Sequence, residues 1–468
     1  MAERSEAASA PRRRVGRFLL RVVGVVFGGV VALVVILAIR LSRGPIDLDF
    51  LSPYLADALG APDGSWRASI GGTQLAWDSE EDDLDLAVHD VELSARDGGA
   101  IASVPRLSVR FRVAPLFRGE LRLRSVDVIA PRLTVRRNAD GAFEVSAGER
   151  TPPPGGHVAL LPTPEQGGPE DIEIRHAEVT VEDAMSGLSA RLGDAHVELH
   201  WADSRLAVDA AGGVELGTQT VAVRLVFERD VPGPATVEAF VDPVSVASVG
   251  DWLSECHEVE ADDPRAEQLA SIQRLAAALR RVRLPASAQL QVDLDPSLGP
   301  TRASISLHAG KGNVEVPAPV GLDVALAKGE ARLDWASDGS LSLESLALDL
   351  GGPTVSASGR RETSGTLTAT ASLRRLPVAD LGRYWPPTAA EGARTWLTSN
   401  LSVGRIDEAT VRLTAVVPDG GDAALKTLDG KVGFSGLTVR YLDTMPPATG
   451  VTGGGTFDVH AWRLDVSS

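Results

Sequence analysis

The side chains that most often carry out chemistry are few in this sequence, and they form no familiar catalytic arrangement. The eight histidines are scattered singly, and His176, His196 and His200 lie in or beside strand-like stretches. The sequence contains no G-x-S-x-G elbow, no H-E-x-x-H, no phosphate loop and no G-x-G-x-x-G after a strand. We therefore expect no enzymatic activity, no cofactor and no metal site, and we interpret the histidines as surface or strand positions.

Acidic, sulfur and indole side chains also have simple structural interpretations. The segment DSEEDDLD, residues 78–85, has six carboxylates but lacks the glycine and the spaced glutamate of a calcium loop, so we interpret it as a solvated strand edge. Cys256 is the only cysteine, which excludes an internal disulfide, and we expect it to be a small buried apolar residue. The tryptophans could contact sugars or lipids, but their nearly even spacing favours structural anchors. They are Trp66, Trp77, Trp201, Trp252, Trp335, Trp385, Trp396 and Trp462.

Length and charge exclude some classes of protein. With 468 residues, the chain is longer than one compact core usually requires, so we favour an elongated repetitive architecture. Its 63 acidic against 46 basic residues give a net charge of −17, which argues against binding nucleic acid through a general basic field.

Alternation of apolar and polar residues dominates the chain after residue 44. Clear examples are residues 83–89, 107–113, 289–295, 366–373 and 457–466. A period of two predicts half-buried strands, and Asp-Gly pairs between them, as in residues 336–340, predict tight antiparallel turns. The sequence thus predicts a mainly β protein with a long, twisted antiparallel sheet curled into an elongated groove.

Helices are predicted at only a few places in this β-rich chain. A helix near 264–281 has Asp263 and Pro264 at its start and places Leu269, Ile272, Ala276 and Leu279 on one face. A second covers residues 388–397, where Thr388 and Glu391 have the spacing of a capping box. We expect such helices to cover parts of the sheet, and residues 151–170, rich in Pro and Gly, to form a loop or linker.

The N-terminal region predicts a membrane anchor. Residues 22–39 form an 18-residue run without a charge, close to the ~20 residues that a helix needs to cross a bilayer. Six arginines precede this run and only Arg40 and Arg43 follow closely, so the positive-inside rule places the N-terminus in the cytoplasm. We expect a basic cytoplasmic tail over residues 1–17 and a transmembrane helix over 18–42.

The strands predict a ligand for the apolar face of the sheet. Their apolar residues are mostly Val, Ala and Leu, and aromatic residues make up only 4% of the chain, which favours a trough over a succession of sandwich cores. The candidate groove residues are Leu84, Leu86, Val88, Val109, Phe111, Val113, Leu121 and Leu123. The apolar residues Leu121 and Leu123 have odd numbers, whereas Val126 and Val128 have even numbers. A regular strand would place the two pairs on opposite faces, so we also expect a bulge near Ser125.

Three blocks of the sequence resemble the AsmA-like family, specifically its YhdP type, which is related to TamB. They are residues 44–59 directly after the predicted anchor, residues 105–143 with Pro115, Gly119 and Pro131, and residues 376–411. The resemblance implies a bridge-like lipid transfer protein of the Gram-negative envelope, anchored in the inner membrane, whose periplasmic groove carries phospholipid acyl chains. It also divides the chain into an N-terminal AsmA-like region (44–150), the linker (151–170), a middle groove region (171–376) and a YhdP-like region (377–468).

Members of this type are usually far longer, and the sequence pattern stops abruptly, so we expect either an N-terminal portion of a longer protein or a protein that hands lipid to another component. With ~20 to 25 strands at ~4.8 Å, the groove would be on the order of 100 Å long. A non-enzymatic assembly factor that binds outer-membrane proteins by strand addition is the alternative. An anchored cell-wall hydrolase has less support, because no nucleophile or acid pair stands out.

Overall fold

The computed structural model describes a chain made mostly of β-strands with few helices, which confirms the predicted class. The described residues are 39–41, 43–59, 66–78, 83–95, 100–116, 118, 122–138, 143–146, 168–202, 204–256, 266–318, 320–388, 390–416, 424–442 and 444–467. The chain divides into two units, the first made of Met1–Ile129 with Leu161–Glu170 and the second of Ala130–Leu160 with Asp171–Ser468. The division follows Ile129, whereas the boundary expected at residue 150 lies outside the described residues.

The first unit contains an antiparallel sheet of five strands, paired in chain order. They are β1 (Ile46–Asp47), β2 (Trp66–Asp78), β3 (Asp83–Ala95), β4 (Ala100–Arg112) and β5 (Leu123–Ile129). A 3-10 turn, Asp49–Leu51, leads into helix α1 (Ser52–Leu59), and α2 (Val113–Leu116) follows β4. Helix α1 is fixed to β2 by a buried hydrogen bond of 2.9 Å between the hydroxyls of Ser52 and Thr73.

The bulge predicted near Ser125 is confirmed. Arg110 of β4 pairs with Ser125 of β5 while Phe111 pairs with Leu123, so Arg124 is an extra residue in β5. The Arg124 guanidinium reaches Asp83, with 2.8 Å between Nη1 and Oδ2. Asp83 is only 2% exposed, so the prediction of a solvated edge is wrong there. A buried carboxylate requires a cation, and the bulge supplies one.

Within the residues that the structure describes, the second unit has twenty strands in two sheets. The first ten are β6 (Arg132–Arg137), β7 (Phe143–Ser146), β8 (Asp171–Asp183), β9 (Ser189–Ala202), β10 (Arg205–Leu216), β11 (Gln219–Asp230), β12 (Ala235–Ser245), β13 (Val282–Arg283), β14 (Pro285–Leu294) and β15 (Pro300–Ala309). The remaining ten are β16 (Gly312–Val316), β17 (Leu322–Leu326), β18 (Lys328–Ala336), β19 (Leu341–Asp349), β20 (Thr354–Arg361), β21 (Thr366–Pro377), β22 (Leu401–Val416), β23 (Ala424–Val439), β24 (Ala448–Asp458) and β25 (Trp462–Ser467).

The main sheet of this unit runs from β8 to β25 as an antiparallel meander. Strands β13, β16 and β17 leave it and form a separate small sheet. The expected turn at residues 336–340 is present, with Gly339 at a φ of +84°. One pair departs from the prediction of a purely antiparallel sheet, because β6 lies parallel to β8. Parallel neighbours need a long connection, which the chain between these two strands provides.

Helices of the second unit follow two of its strands. They are α3 (Val246–Leu253), α4 (Ala266–Leu279), the 3-10 turn Val378–Asp380, α5 (Leu381–Tyr384) and α6 (Glu391–Asn400). The predicted inner face of α4 is confirmed, since Leu269 and Ala276 are buried there. Cys256 is buried as expected. The predicted capping box is wrong, because α6 begins after Ala390, whose backbone is left-handed and whose side chain makes no cap.

The predicted anchor, residues 18–42, lies outside the described residues apart from 39–41. Within the part of the chain that the structure describes, no helix has both the length and the apolar character needed to span a bilayer.

Candidate functional site

One line of apolar residues crosses the main sheet of the second unit without interruption. Thirteen consecutive strands of this sheet, from β8 to β23, contribute one residue each, and each residue is the register partner of the next. They are Ile174, Val197, Ala210, Leu225, Ala239, Leu290, Ile305, Leu333, Leu343, Gly359, Ala369, Leu413 and Leu428. We call this line the central row. At ~4.8 Å between neighbouring strands, it is about 58 Å long.

The central row is apolar, yet the described part of the chain leaves it partly exposed along its whole length. None of its residues is buried, and Leu225 and Ile305 are 41% and 38% exposed. A soluble domain usually buries such a face against a second layer. The uncovered row therefore has the properties of a surface that receives an apolar ligand or partner.

The opposite face of the same strands has the reverse character. A polar row runs beside the central row, displaced by one residue in each strand, and only Val226 in it is apolar. Its members are Glu173, Glu198, Asp209, Val226, Glu238, Gln291, Ser304, Asp334, Ser342, Arg360, Thr368, Thr414 and Thr427. Because successive side chains point to opposite faces of a sheet, one row presents an apolar surface on one face and the other presents a surface on the opposite face that is polar except at Val226.

Two more apolar rows widen the apolar face toward the C-terminal strands. The adjacent row crosses twelve strands through Val223, Val241, Ala288, Leu307, Ala331, Leu346, Ala357, Ala371, Val411, Gly430, Phe457 and Trp462. The covered row crosses ten strands through Ala286, Ala309, Gly329, Leu348, Val355, Leu373, Ala409, Val432, Gly455 and Leu464. Together with the central row they form an apolar band three residues wide.

The covered row is closed over in its first half by the small sheet and two helices. Leu284, Leu326 and Leu350 form the buried centre of this cover. Val246 of α3 and Tyr384 of α5 pack on the same cluster. The covering elements hide one edge of the apolar face and leave the central row open.

A cavity of about 670 Å³ occupies the C-terminal end of the apolar face. Strands β21–β25 form its floor, and the 3-10 turn, α5 and α6 form its roof. Its lining is apolar or aromatic throughout: Leu373, Val378, Leu381, Trp385, Ala393, Trp396, Leu397, Leu401, Ile406, Ala409, Val432, Phe434, Leu437, Val439, Tyr441, Ala448, Val451, Phe457, Trp462, Leu464 and Val466. The volume lies within the ~300–1,000 Å³ of small-molecule sites, and the lining selects for hydrocarbon.

The groove residues expected from the sequence lie in the first unit, where the structure joins six of the eight on one face. Leu84 pairs with Phe111, and Leu86 pairs with Val109. Val88 lies on the same side of β3, and the bulge returns Leu123 to it beside Phe111. Val88 is buried, whereas the other five are half-buried.

The other two expected groove residues differ. The strand predicted through Val113 ends at Arg112, because the chain turns there into α2, which begins at Val113. Leu121 lies outside the described residues.

One group of side chains on the polar face could hold a metal ion. Ligand atoms of Glu173, His196 and Glu198 all lie within 4.8 Å of one another. His196 Nε2 is 2.9 Å from Glu198 Oε1 and 4.0 Å from Glu173 Oε1. Arg175 competes with any cation there, because its Nε lies 2.9 Å from Glu173 Oε1. The group is readily explained as cross-strand charge pairing.

Further ion pairs add charged groups to the polar face. Arg224 Nε donates to both carboxylate oxygens of Asp209, at 3.0 and 3.1 Å, and this hydrogen bonding holds the pKa of Asp209 below its usual value. The Asp407 carboxylate accepts hydrogen bonds from Arg405 and, to a smaller effect, from Ser435, and these bonds lower the pKa of Asp407. These carboxylates are therefore charged at neutral pH.

The C-terminal cavity is not predicted by the sequence. The even spacing of the tryptophans predicts structural anchors, yet Trp385, Trp396 and Trp462 all line this cavity. The available signal is the density of aromatic residues over residues 384–396, where Tyr384, Trp385 and Trp396 lie in the segment between β21 and β22. Comparison of this chain with protein-family models, curated proteins and solved structures found no match.

Proposed function

We propose that this protein is a non-enzymatic lipid carrier whose apolar band holds the acyl chains of phospholipids. In this proposal an N-terminal helix over residues 18–42 anchors it in the inner membrane of a Gram-negative bacterium, with the N-terminus in the cytoplasm and the rest in the periplasm. It conducts phospholipids between inner and outer membranes and so supports outer-membrane lipid homeostasis and the permeability barrier. The resemblance of three sequence blocks to the YhdP type agrees with this role.

The observation that carries the proposal is the central row. A row of thirteen apolar residues that is nowhere buried offers a continuous surface to hydrocarbon. An acyl chain lying along it avoids a cost of about 0.8 kcal/mol for each CH₂ group otherwise exposed to water. Movement along such a row breaks and forms equivalent contacts, so it requires no catalytic residue.

Photocrosslinking tests this proposal with controls one residue away. A photoreactive amino acid replaces Leu343 or Leu413 of the central row, and in the control chains it replaces Ser342 or Thr414 of the polar row. We expect phospholipid adducts at Leu343 and Leu413 in intact cells and few at the controls, measured by mass spectrometry of the purified protein. Equal labelling on both faces, or no lipid adduct at either central-row position, would count against lipid carriage.

A second candidate function is supported by strand β25. Among the described strands it pairs only with β24, and Trp462, Leu464 and Val466 on it are exposed. A strand with alternating apolar residues that has a described neighbour on one side can pair with another strand on its other side. We propose, as the alternative, an envelope assembly factor that binds outer-membrane proteins there. A photocrosslinker at Val466 that captures polypeptide, with no lipid at Leu343, would favour this alternative over lipid carriage.

A further inference from the structure

The 3-10 turn and helix α1, near the start of the first unit, carry an exposed aromatic face. Phe50 and Tyr54 are 67% and 74% exposed, and Pro53 between them is exposed as well. Residues three and four positions apart lie on the same side of a helix, so these three form one apolar surface. Asp57 follows one turn later, which confines the apolar surface to the start of the helix.

Contacts on the other side of α1 fix the direction of this face. Ser52 is buried and its hydroxyl lies 2.9 Å from that of Thr73 in β2. Asp49 Oδ1 accepts a hydrogen bond of 3.1 Å from the backbone N–H of Thr73. With the turn and the helix both attached to β2, rotation that would hide Phe50 and Tyr54 breaks buried hydrogen bonds.

The chain places this face close to the predicted membrane anchor. The charge-free run ends at Ile39, eleven residues before Phe50, so the two are at most ~40 Å apart even with the chain extended. The chain is not extended, because the N–H groups of Arg43 and Gly44 bond to the carbonyls of Arg40 and Leu41. Aromatic and basic residues just outside an apolar helix are the composition typical of a membrane–water interface.

We infer that the face formed by Phe50, Pro53 and Tyr54 docks into the headgroup region of the bilayer that the anchor crosses. The inference goes beyond lipid carriage but rests on the anchor in the proposed function. The rings insert beside the lipid glycerol region, while the bond between Ser52 and Thr73 ties the sheet of the first unit to that depth. The anchor and the aromatic face are then two separate attachments, and together they set the orientation of the first unit on the membrane.

Spin labelling of the full chain tests this docking. Cys256→Ala removes the only native thiol, and a spin label is then attached to Phe50→Cys, Tyr54→Cys or, as the exposed control on β3, Glu92→Cys. The proteins are reconstituted into vesicles of phosphatidylethanolamine and phosphatidylglycerol. We expect the labels at positions 50 and 54 to collide with oxygen several-fold more, relative to a water-soluble nickel complex, than the label at position 92.

Flotation of the same vesicles separates the two ways in which the inference can fail. Protein that floats with the vesicles but carries labels at 50 and 54 as water-exposed as the one at 92 overturns the docking and leaves the anchor standing. Protein that does not float overturns both the anchor and the docking. Circular dichroism of each labelled chain verifies that the substitutions leave the strand content unchanged.

Discussion

Two stretches of the same apolar face differ in what lies over them. Along the central row no residue is buried, whereas at the C-terminal end Leu376 is 1% exposed, and Val378 and Leu381 are 3% exposed. The strands alternate in the same way in both places, so alternation does not decide which stretch is covered. The difference comes from the elements inserted between strands, because the turn and helices between β21 and β22 fold back over the sheet.

The comparison separates two uses of apolar surface within one sheet. The covered end stabilises the fold through burial, since Phe434 and Leu437 of β23 pack there with Val378. The open stretch contributes less to stability and leaves its surface available for a ligand. The cavity combines both properties, because its roof is fixed by packing while Trp396 and Trp462 at its lining are half in solvent.

The largest loss of stability is expected from a substitution in the covered end of the apolar face. Leu376→Ala should lower the local free energy of unfolding by roughly 3 kcal/mol, because it leaves a cavity where a fully buried side chain packs. Leu225→Ala, in the open row, should cost only about 1 kcal/mol, since part of that side chain is already hydrated. Hydrogen exchange of the amides of β21 and of β11 measures the two losses separately. Equal losses would show that the two stretches do not differ in burial.

A glycine tests the packing of the cavity floor. A Cβ at Gly430 would lie 2.1 Å from the Phe457 ring, which stacks on Trp462 with 4.4 Å between ring centroids. Gly430→Ala should therefore displace the stack, at a cost of about 2 kcal/mol. In the same strand, Gly433→Ala meets nothing nearer than 4.0 Å and serves as the control. Near-ultraviolet circular dichroism should change for the first variant only.

A charged side chain placed in the central row tests whether a lipid binds there. Ile305→Asp places a carboxylate in the central row, where Ile305 is exposed enough for the sheet to fold around the change. We expect about tenfold less co-purifying phospholipid, equivalent to about 1.4 kcal/mol in binding. Ser306→Asp introduces the same charge on the opposite face and should retain the lipid. Native mass spectrometry of both proteins gives the ratio, and unchanged lipid in Ile305→Asp would contradict lipid binding along the row.

The smallest effect is expected on the polar face. The pKa of Asp209 is lowered by its hydrogen bonds from Arg224, so the pair stabilises the fold above the unfolded-state pKa and loses that effect as acid protonates the carboxylate. Because the pair is largely exposed, Asp209→Asn should cost less than about 1 kcal/mol at neutral pH. The difference from the unmodified protein should vanish once the pH falls below the lowered pKa of Asp209, which unfolding curves at neutral and strongly acidic pH can show. A difference that grew with acid would reverse the sign of this interaction.

Much of the fold could be predicted because alternation is a local signal. The alternation in residues 289–295 and 366–373 predicts strands with one apolar face, and the structure confirms both. The apolar positions change from odd-numbered to even-numbered between Leu123 and Val126, which predicts the bulge that the structure also confirms. The helix over 264–281 was also predictable, since Leu269 and Ala276 follow its period. These features depend on residues within one element.

Other features depended on residues far apart in the chain and were not predictable. The sequence around Asp83 predicts a solvated carboxylate. In the structure the bulge in β5 brings Arg124, 41 residues later in the chain, into contact with it. The parallel pairing of β6 with β8 and the left-handed start of α6 at Ala390 had no signal in the spacing of residues. The Asp83 ion pair and the parallel pairing result from contacts between residues far apart in the chain, which local preference does not determine.

The sequence by itself determined that this protein is a long series of antiparallel strands with one apolar and one polar side, because a period of two needs only neighbouring residues. The tertiary structure alone decided that the apolar sides of thirteen strands align into one row, since register is set between strands and a slip of one residue would reverse the face. It also decided where the apolar face is covered. The open row and the roofed cavity arise from the same alternation, and only the placement of the inserted helices and the small sheet distinguishes them.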